Sequence, residues 1–418
     1  MRQAGKNAPK VTPKKLPISA ESKHKQNPSS GAPEAEAITP DSTREFFLIV
    51  APGLEDLAEF ELRDWLPEAR AEVVKGGLSI TLPLKVGFAL NRALKIPTRI
   101  LVRVADFGCR DFPKLFKKMS NFPWESWFPD DIPVEFQASS KTSWLKVKKR
   151  IEETCEEGRA ARVKKRGVSL KQQGEPLTVF VRLENDVCFM SLDTSGELLH
   201  KRGYRTLASE APLRETIASA LLCLTEVHGL AGEVSSVELV DPMMGGGTFL
   251  LEAAQRSEVL SGRTYAFERF VLSSPSVELR STRPNIFEAF SGFDLDAKAV
   301  EAAKGNLKTL GEKKSVRLEV GDAFKLSSPG VRALPRVVIT NPPWGERIAV
   351  KGRLSDFYSE LFQCLESAFQ PQAACFLLPE KAGLEKIRAP REWKLVHHRR
   401  FLNGGISVQA AVYQRVFA

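Results

Sequence analysis

The feature that most constrains the fold is a regular alternation of strand-like and helix-like segments in the second half of the chain. Short apolar runs such as "VELVDPM" and "RVVITNPP" alternate with segments of helical periodicity such as "AKAVEAAKGNLKTL" and "DFYSELFQCLESAF". This alternation predicts a parallel, doubly wound α/β sheet of the Rossmann-like type, which binds ligands at the carboxyl ends of its strands. Two final strand runs joined at Asn403-Gly404-Gly405 predict an antiparallel hairpin at the edge of the sheet.

The first half of the chain has a different pattern. Short strands and helices are mixed over residues 44–195, which predicts an α+β region, and the pattern changes after "LLHKRGYRTL". Residues 1–43 are rich in Pro, Ser, Ala and Lys and cannot bury enough apolar surface to fold, so they are predicted to be a disordered basic tail. The α/β region then covers residues 196–418, and residues 255–290 interrupt it as an insertion.

Composition narrows the class of protein. The net charge of +10 keeps nucleic acid or another polyanion among the partners. No apolar run reaches the roughly 18–20 residues that a membrane-spanning helix needs. The six cysteines are widely spaced without a C-x-x-C pair, which indicates reduced thiols rather than disulfides or zinc ligands. We therefore expect a cytoplasmic protein with no membrane segment, and we expect it to be a monomer. No metal is expected either, because the adjacent His397 and His398 lie on a predicted strand and face opposite sides of it.

A glycine turn follows the first predicted parallel strand, in "VELVDPMMGGGTF". Gly245, Gly246 and Gly247 remove side chains where a ligand could lie against the backbone, just before a helix begins. A nicotinamide-dinucleotide fingerprint would need a third glycine at position 250, which is Leu250, and a phosphate-binding loop would need a lysine that is not there. The turn therefore excludes two common phosphate ligands.

Acidic residues stand at the ends of the following strands. Asp294 ends "FSGFD" and can accept both hydroxyls of a ribose, while Asp322 ends "LEVGD" and can accept from an adenine amino group. Asp296 is predicted to be an N-cap instead. A nucleoside-bearing amino acid without phosphate fits this set, namely S-adenosylmethionine. The predicted cofactor residues are Asp241, Pro242, Met243, Gly245, Gly247, Thr248, Asp294, Asp322, Ala323 and Asn341.

The stretch "VVITNPPWGERI" places Asn341, Pro342, Pro343 and Trp344 directly after another apolar strand. The Asn341 side-chain oxygen and the Pro342 carbonyl can accept the two N–H bonds of an aromatic amine, and Trp344 can stack on the ring that carries it. The two prolines fix φ and so pre-organise the acceptors. The residues from Asn341 to Trp344 are the predicted catalytic corner.

These motifs resemble the THUMP-domain family of S-adenosylmethionine-dependent RNA guanine-N2 methyltransferases, most of all the bacterial members that act on large-subunit (23S) ribosomal RNA. The resemblance covers most of residues 44–418 and is carried by "APGLEDLAEFEL", "LDTSGELLHKRGYRTLASEAPLRETIA", "DPMMGGGTFLLEAA", "RTYAFERF", "GFDLDAKAV" and "NPPWGERI". It implies a ferredoxin-like and THUMP RNA-binding region before a class I methyltransferase domain, with S-adenosylhomocysteine as the product of the cofactor.

The sequence departs from the family at three positions. Met244 and Gly246 stand where the family usually has Cys and Ser, which keeps the glycine frame. Trp344 stands where the family usually has Tyr or Phe, so stacking is retained while the size of the base pocket changes. Some members also carry a second methyltransferase domain; this chain ends at Ala418 without one, so a single modification is expected.

RNA contacts are expected in a basic stretch of the first half, "KTSWLKVKKRIEETCEEGRAARVKKRG". Its cations could bind phosphates, although four glutamates neutralise the middle and such runs are often solvated helix faces. The predicted RNA-binding residues are Lys146, Lys149, Arg150, Lys164, Lys165 and Arg166, and Lys148, Arg159 and Arg162 are further candidates. Trp144 fits a core position as well as a base-stacking one.

Several alternatives remain open from the sequence. Transfer RNA could replace ribosomal RNA as the substrate, because THUMP domains occur in enzymes for both. An Asn-Pro-Pro-aromatic corner also serves enzymes that methylate adenine N6 in nucleic acid or a glutamine amide in protein. A ribosome-assembly factor that binds RNA without catalysis is the non-enzyme alternative, against which the intact set of Asp241, Asp294, Asp322 and Asn341 speaks.

Overall fold

A computed structural model describes residues 38–168, 174–204, 213–230, 234–272, 277–308, 315–327, 334–345 and 352–416. Most of the predicted disordered tail lies outside these ranges. Its last residues belong to the folded part, because the carbonyls of Pro40 and Ser42 accept from the backbone N–H groups of Lys85 and Leu84. The tail predicted for residues 1–43 therefore extends too far at its end.

The described residues contain eight α-helices and fourteen strands. The helices are α1 Glu55–Trp65, α2 Leu84–Ala93, α3 Phe112–Asn121, α4 Lys148–Lys165, α5 Glu215–His228, α6 Thr248–Ala254, α7 Ala297–Lys308 and α8 Leu354–Phe369. The strands are β1 Thr43–Ile49, β2 Glu72–Val74, β3 Gly77–Pro83, β4 Arg99–Gly108, β5 Val134–Lys141, β6 Leu177–Glu184, β7 Val187–Asp193, β8 Val237–Asp241, β9 Phe287–Asp294, β10 Ser315–Val320, β11 Arg336–Thr340, β12 Ala373–Pro379, β13 Trp393–Asn403 and β14 Ile406–Arg415.

The first half forms one sheet in the order β2-β3-β1-β4-β7-β6-β5. The strand β6 shows why: Leu177, Val179, Val181 and Leu183 are buried at every second position, the period of a strand with one face on a core. β5 and β6 run parallel and are joined through α4, whereas the other neighbours are antiparallel. This mixture confirms the predicted α+β architecture.

The second half forms the predicted doubly wound sheet, in the order β10-β9-β8-β11-β12-β14-β13. The first five strands in that order are parallel, and β14 joins β12 in the antiparallel direction. β12 reads "AACFLLP" and is buried at every residue, as expected for a strand covered on both faces. The hairpin of β13 and β14 turns at Gly404 and Gly405, both at positive φ, which confirms the predicted antiparallel edge.

The predicted insertion ends earlier than expected. β9 begins at Phe287, so the last four residues assigned to the insertion form the start of a core strand. Phe287 and Ala289 are buried while Glu288 between them is exposed, which is the alternation of a strand. A 3-10 turn at Ala266–Arg269 lies within the rest of the insertion.

A buried ionic network joins the first half of the chain to the second. Glu61 of α1 accepts from the Lys95 backbone N–H at 3.0 Å and lies 3.6 Å from the guanidinium of Arg256. Nearby, the Arg202 guanidinium pairs with Glu252 of α6 at 3.1 Å and donates to the carbonyl of Lys95. Unpaired buried charges are costly, so these pairs strongly favour one relative placement of the two halves.

Within the described ranges, no helix combines the length and the apolar character that crossing a membrane requires. The six cysteines are free thiols, five of them buried.

Candidate functional site

The predicted cofactor and catalytic residues meet at the carboxyl ends of the parallel strands of the second sheet. Asp294 pairs in register with Val320, two residues before Asp322. Asn341 follows β11, which pairs in parallel with β8 next to Asp241. The carboxyl ends of β10, β9, β8 and β11 therefore bring these side chains to adjacent positions, as the strand pattern predicts.

The glycine turn is fixed to the end of β9. Gly245 donates its backbone N–H to the Asp294 carboxylate at 2.8 Å, and the other carboxylate oxygen accepts from the Asp296 N–H at 2.9 Å. Gly245 and Gly247 have φ of 52° and 81°, which favours glycine at both positions. A side chain at Gly245 would meet open space, so the turn presents bare backbone beside a carboxylate.

Asp296 itself has the predicted capping role. Its side-chain oxygen accepts from the Lys298 N–H at 2.9 Å, and its carbonyl accepts from Val300 in the first turn of α7. This pattern is that of an N-cap, so Asp294 and Asp296, two positions apart, have different tasks.

Asp241 is more enclosed than a ligand-facing acid at a strand end. It is 2% exposed, and its carboxylate accepts from the Met243 N–H at 3.2 Å. Burial raises the pKa of Asp241 to about 7. Pro242 and Thr248 are also buried, so these two predicted cofactor residues support the glycine turn from inside the fold. Met243 is half-buried.

Asp322 is accessible at the neighbouring strand end. One of its oxygens accepts from the Phe324 N–H at 3.1 Å, the other lies 3.3 Å from the Lys325 ammonium, and Ala323 between them is buried. The rings of Phe324 and Phe357 meet edge to face at 5.1 Å. Half-buried apolar side chains thus flank the carboxylates, as a nucleoside with a flat ring and ribose hydroxyls requires.

The corner after β11 is held from two sides. Asn341 is half-buried, and its side-chain oxygen accepts from the indole N–H of Trp344 at 3.1 Å. The Pro343 carbonyl accepts from the hydroxyl of Tyr358 at 2.8 Å, and burial raises the pKa of that hydroxyl, which keeps it protonated as a donor. Because an indole N–H only donates, the bond also identifies the oxygen end of the Asn341 amide.

Sequence reasoning missed both of these contacts. A signal for Tyr358 was available, since it is a hydroxyl-bearing residue on the buried face of α8, followed at helical spacing by Leu361, Phe362 and Leu365. The sequence held no such signal for the hydrogen bond from Trp344 to Asn341, because a tryptophan at this position could equally stack on a base without making that bond. Residues 346–351 after the corner lie outside the described residues.

The predicted RNA-binding cations are not equivalent. Lys146, Lys149 and Arg150 are exposed around the start of α4, and Lys164 and Lys165 are exposed at its end. Arg166 is also exposed, but it pairs with Glu125 and Asp130, so its charge is already partly neutralised.

Arg159 corrects the sequence interpretation. It was a candidate phosphate contact but is 4% exposed and donates to the carbonyls of Asp130 and Ile132 at 3.1 and 2.7 Å. It lies on the face of α4 that also buries Cys155 and Val163, so it joins the helix to the loop before β5. The candidate Arg162 pairs with Glu125 at 2.5 Å.

Trp144, in contrast to Arg159, is exposed. Its side chain is 74% exposed, so the core position that the sequence allowed is wrong.

No group of three or more His, Cys, Asp or Glu side chains within the described part of the chain is placed to hold a metal ion. His397 stacks on His228 with ring centres 4.0 Å apart.

Two families match the chain. Residues 109–193 match the family described as THUMP domain, and residues 202–409 match the one described as RMKL-like, methyltransferase domain. The ribosomal RNA large subunit methyltransferase K/L of Aliivibrio fischeri is 30% identical over 377 residues, which cover 84% of this chain and 52% of that protein. The chain thus spans about half the length of the curated relatives it matches.

Solved structures support the fold. A possible methylase from Clostridium difficile 630 superposes with a TM-score of 0.73 at 23% identity, covering 90% of this chain and 99% of that one. The structure of SMU.472 complexed with SAH superposes with a TM-score of 0.70 at 23% identity, with coverage of 90% and 99%. At these identities the likeness concerns the fold alone, which is the predicted class I architecture behind an α+β region.

Proposed function

Because this chain joins a THUMP domain to an RMKL-like methyltransferase domain, we propose that it transfers a methyl group from S-adenosylmethionine to the N2 amine of a guanine in RNA. We propose large-subunit ribosomal RNA as the substrate. The observation that carries the proposal is the corner at Asn341, which offers an oriented acceptor and an aromatic ring beside a pocket suited to a nucleoside.

The cofactor supplies an electrophilic methyl group and leaves as S-adenosylhomocysteine. In this proposal Asp294 accepts from the ribose hydroxyls, for which it is half-buried and already oriented by the Gly245 N–H. Asp322 accepts from the adenine amino group, and the half-buried Phe324 and Met243 enclose the flat ring. The bare backbone of the glycine turn lets the amino-acid end lie close to the sheet.

Asn341 acts on the amine that receives the methyl group. An aromatic amine is a weak nucleophile, since its lone pair is delocalised into the ring. An amide oxygen can accept two hydrogen bonds, so the Asn341 oxygen can hold the amine while it keeps its bond to Trp344. With the Pro342 carbonyl as the second acceptor, the corner favours a pyramidal nitrogen whose lone pair faces the methyl group. The fixed acceptors need no reorganisation during transfer. The methylated nitrogen then carries a positive charge and loses its extra proton to water, so no strong base is required.

RNA is favoured over the alternative substrates by the first half of the chain. A THUMP domain and the exposed cations at both ends of α4 have no evident role in methylating a protein amide. The relative from Aliivibrio fischeri is named for large-subunit ribosomal RNA, and this name supports our choice of ribosomal RNA over transfer RNA. We also propose that residues 44–195 bind RNA while residues 196–418 carry out the transfer, in the cytoplasm.

The test is methylation in vitro. Purified protein is incubated with methyl-labelled S-adenosylmethionine and, in parallel, with unmodified large-subunit ribosomal RNA and transfer RNA, which are then digested to nucleosides and separated. We expect labelled N2-methylguanosine from the ribosomal RNA. Label in N6-methyladenosine would overturn the guanine assignment, and label only in transfer RNA would overturn the choice of substrate. Binding of either RNA without any transfer would leave the non-catalytic assembly factor as the function.

A further inference from the structure

An exposed tryptophan stands at one corner of the first sheet. Trp144 lies in the loop between β5 and α4 and is 74% exposed. The next residue, Leu145, is buried, and its carbonyl accepts from the Ser140 hydroxyl. Ser143, the residue before Trp144, is buried as well, so the loop is anchored on both sides of an aromatic ring that contributes little to the core.

Asp186 ties this loop to two neighbouring turns. Its carboxylate accepts from the Trp144 backbone N–H at 2.9 Å and from the Arg110 guanidinium at 3.0 Å. Its own N–H donates to the hydroxyl of Ser143 at 3.0 Å, and its carbonyl accepts from the Cys109 N–H at 2.7 Å. One residue thus fixes the loops after β4 and β5 and the turn between β6 and β7.

The corner also concentrates backbone strain. Four non-glycine residues have positive φ in the described part of the chain, and three of them are here: Thr142 at 51°, Asn185 at 50° and Asp186 at 63°. Asn and Asp tolerate this conformation in tight turns, but a β-branched residue such as Thr142 is strained in it. Such strain persists where the surrounding bonds impose it and is concentrated at functional sites.

The segments that meet at this corner are rich in cations. Exposed cations lie in two of the joined loops and at the starts of the helices that follow them: Arg110 and Lys146 in the loops, Lys114 in α3, and Lys148, Lys149 and Arg150 in α4. The carboxylates of the same segments already have partners, since Asp186 pairs with Arg110 and Asp111 accepts from the Lys114 backbone N–H. Glu153 lies 3.9 Å from Lys149. The Arg150 guanidinium lies 4.1 Å from the centre of the Phe112 ring, so this contact between α4 and α3 fixes the position of the cation.

We infer that Trp144 stacks on an unpaired nucleobase of the RNA substrate while the surrounding lysines and arginines bind the adjoining phosphates. The inference rests on the proposed function in taking RNA as the substrate. An aromatic ring among cations matches a nucleotide, which combines a flat base with a negative phosphate. The base must be unpaired because the bases inside a duplex already stack on both faces. An anchored ring meets such a base with little loss of conformational freedom.

The experiment measures RNA affinity of the full chain by fluorescence anisotropy. The probes are a single-stranded RNA of about 12 nucleotides, within the length that one single-strand-binding module covers, and a blunt RNA duplex of the same length. The proteins are the wild type, Trp144→Ala, Trp144→Phe and a matched control, Leu402→Ala, which removes a side chain that is 52% exposed on the β13–β14 hairpin. Circular dichroism melts establish that all four are folded.

We expect Trp144→Ala to weaken binding of the single strand about ten-fold and to leave binding of the duplex unchanged. Trp144→Phe should retain most of the affinity, and Leu402→Ala should bind like the wild type. Because no charge is removed, the dependence of affinity on salt should stay the same in Trp144→Ala.

Two results would overturn the inference. Equal affinities of the wild type and Trp144→Ala for the single strand would exclude stacking and leave the surface for a protein partner. An equal loss for the duplex would mean that the substitution disturbs phosphate binding instead. Either result leaves the proposed function intact if the wild type methylates RNA, whereas a wild type that neither binds nor methylates RNA would overturn both.

Discussion

Trp344 has two tasks in the proposed mechanism that the sequence alone does not separate. Its ring is suited to stacking on a base, and its indole N–H holds the oxygen of Asn341 at 3.1 Å. Phe in its place would keep the first and lose the second. The residue therefore allows positioning of the acceptor to be tested apart from stacking.

Replacing Trp344 with Phe should lower kcat about five-fold, the effect of about 1 kcal/mol from one hydrogen bond. The substitution should cost nothing further in an Asn341→Ala background, since the acceptor that it positions is already absent. Steady-state methyl transfer by the wild type, both single variants and the double variant gives this coupling directly. Equal losses in the two backgrounds would show that Trp344 acts through stacking alone.

Replacing Asp294 with Ala should weaken S-adenosylmethionine binding by about 1–3 kcal/mol, because polar partners lose an acceptor in an enclosed site. The loss of the bond from Gly245 adds to the effect by releasing the turn. Isothermal calorimetry measures it. Asp296→Ala is the matched control: it removes the cap of α7, so it should lower stability by about 1 kcal/mol and leave cofactor affinity unchanged. Unaltered binding by Asp294→Ala would remove Asp294 from the site.

The secondary-structure elements were largely predictable from the sequence because their periods are distinct. β6 alternates and β12 is apolar throughout, as expected for strands with one and with two covered faces. The face of α4 was not predictable. Arg159 stands in a run of charges that looks the same as the exposed Lys164 and Lys165, and its burial depends on backbone carbonyls of a distant loop. The start of β9 was predicted too late, because the charged Glu288 interrupts the apolar run that identified the strand.

The end of β8 should make the stability of the ligand-free protein depend on pH. Burial raises the pKa of Asp241 to about 7, above the unfolded value of about 3.9. The folded state then binds the proton more tightly, so this contribution to stability is fully present below about pH 4 and is lost as the pH rises to about 7.

Asp241→Asn removes this titration while it keeps the size of the side chain. The free energy of unfolding of the wild type relative to Asp241→Asn should fall by about 2–3 kcal/mol between pH 5 and pH 8. Urea denaturation at a series of pH values measures the difference. A difference independent of pH would show that Asp241 titrates normally in the folded protein.

Across the whole molecule, a buried ionic network links the two halves, with Arg256 beside Glu61 and Arg202 donating to the Lys95 carbonyl. Glu252 accepts from Arg202, Tyr204 and Ser219. Burial opposes ionisation of Glu252, but the Arg202 charge and these bonds bring its pKa below the usual value. The partners in such a network cannot be identified from sequence, since Arg202 is 50 positions from its counter-ion Glu252 and 107 from the Lys95 carbonyl to which it donates.

Glu252→Ala should destabilise the protein by about 3–5 kcal/mol, because it leaves the buried Arg202 guanidinium without its counter-ion. Chemical denaturation measures the loss. Glu59→Ala, which breaks the more exposed pair with Arg63, is the matched control and should change stability by less than about 1 kcal/mol. Similar losses in the two variants would show that the pair at Arg202 contributes no more than a surface contact.

The activity of Asn341→Ala tests the proposed mechanism at the atom that receives the amine. If the amide oxygen accepts from the amine of guanine during transfer, kcat should fall about 10²–10³-fold, the effect of losing one pre-organised transition-state contact. Affinity for S-adenosylmethionine should change little, because the proposed cofactor contacts are mainly on β8, β9 and β10. Single-turnover methylation of RNA with quantified N2-methylguanosine, together with calorimetric cofactor binding, measures both. A large loss of turnover with intact cofactor binding is the predicted result, and an Asn341→Ala protein with full activity would contradict the mechanism.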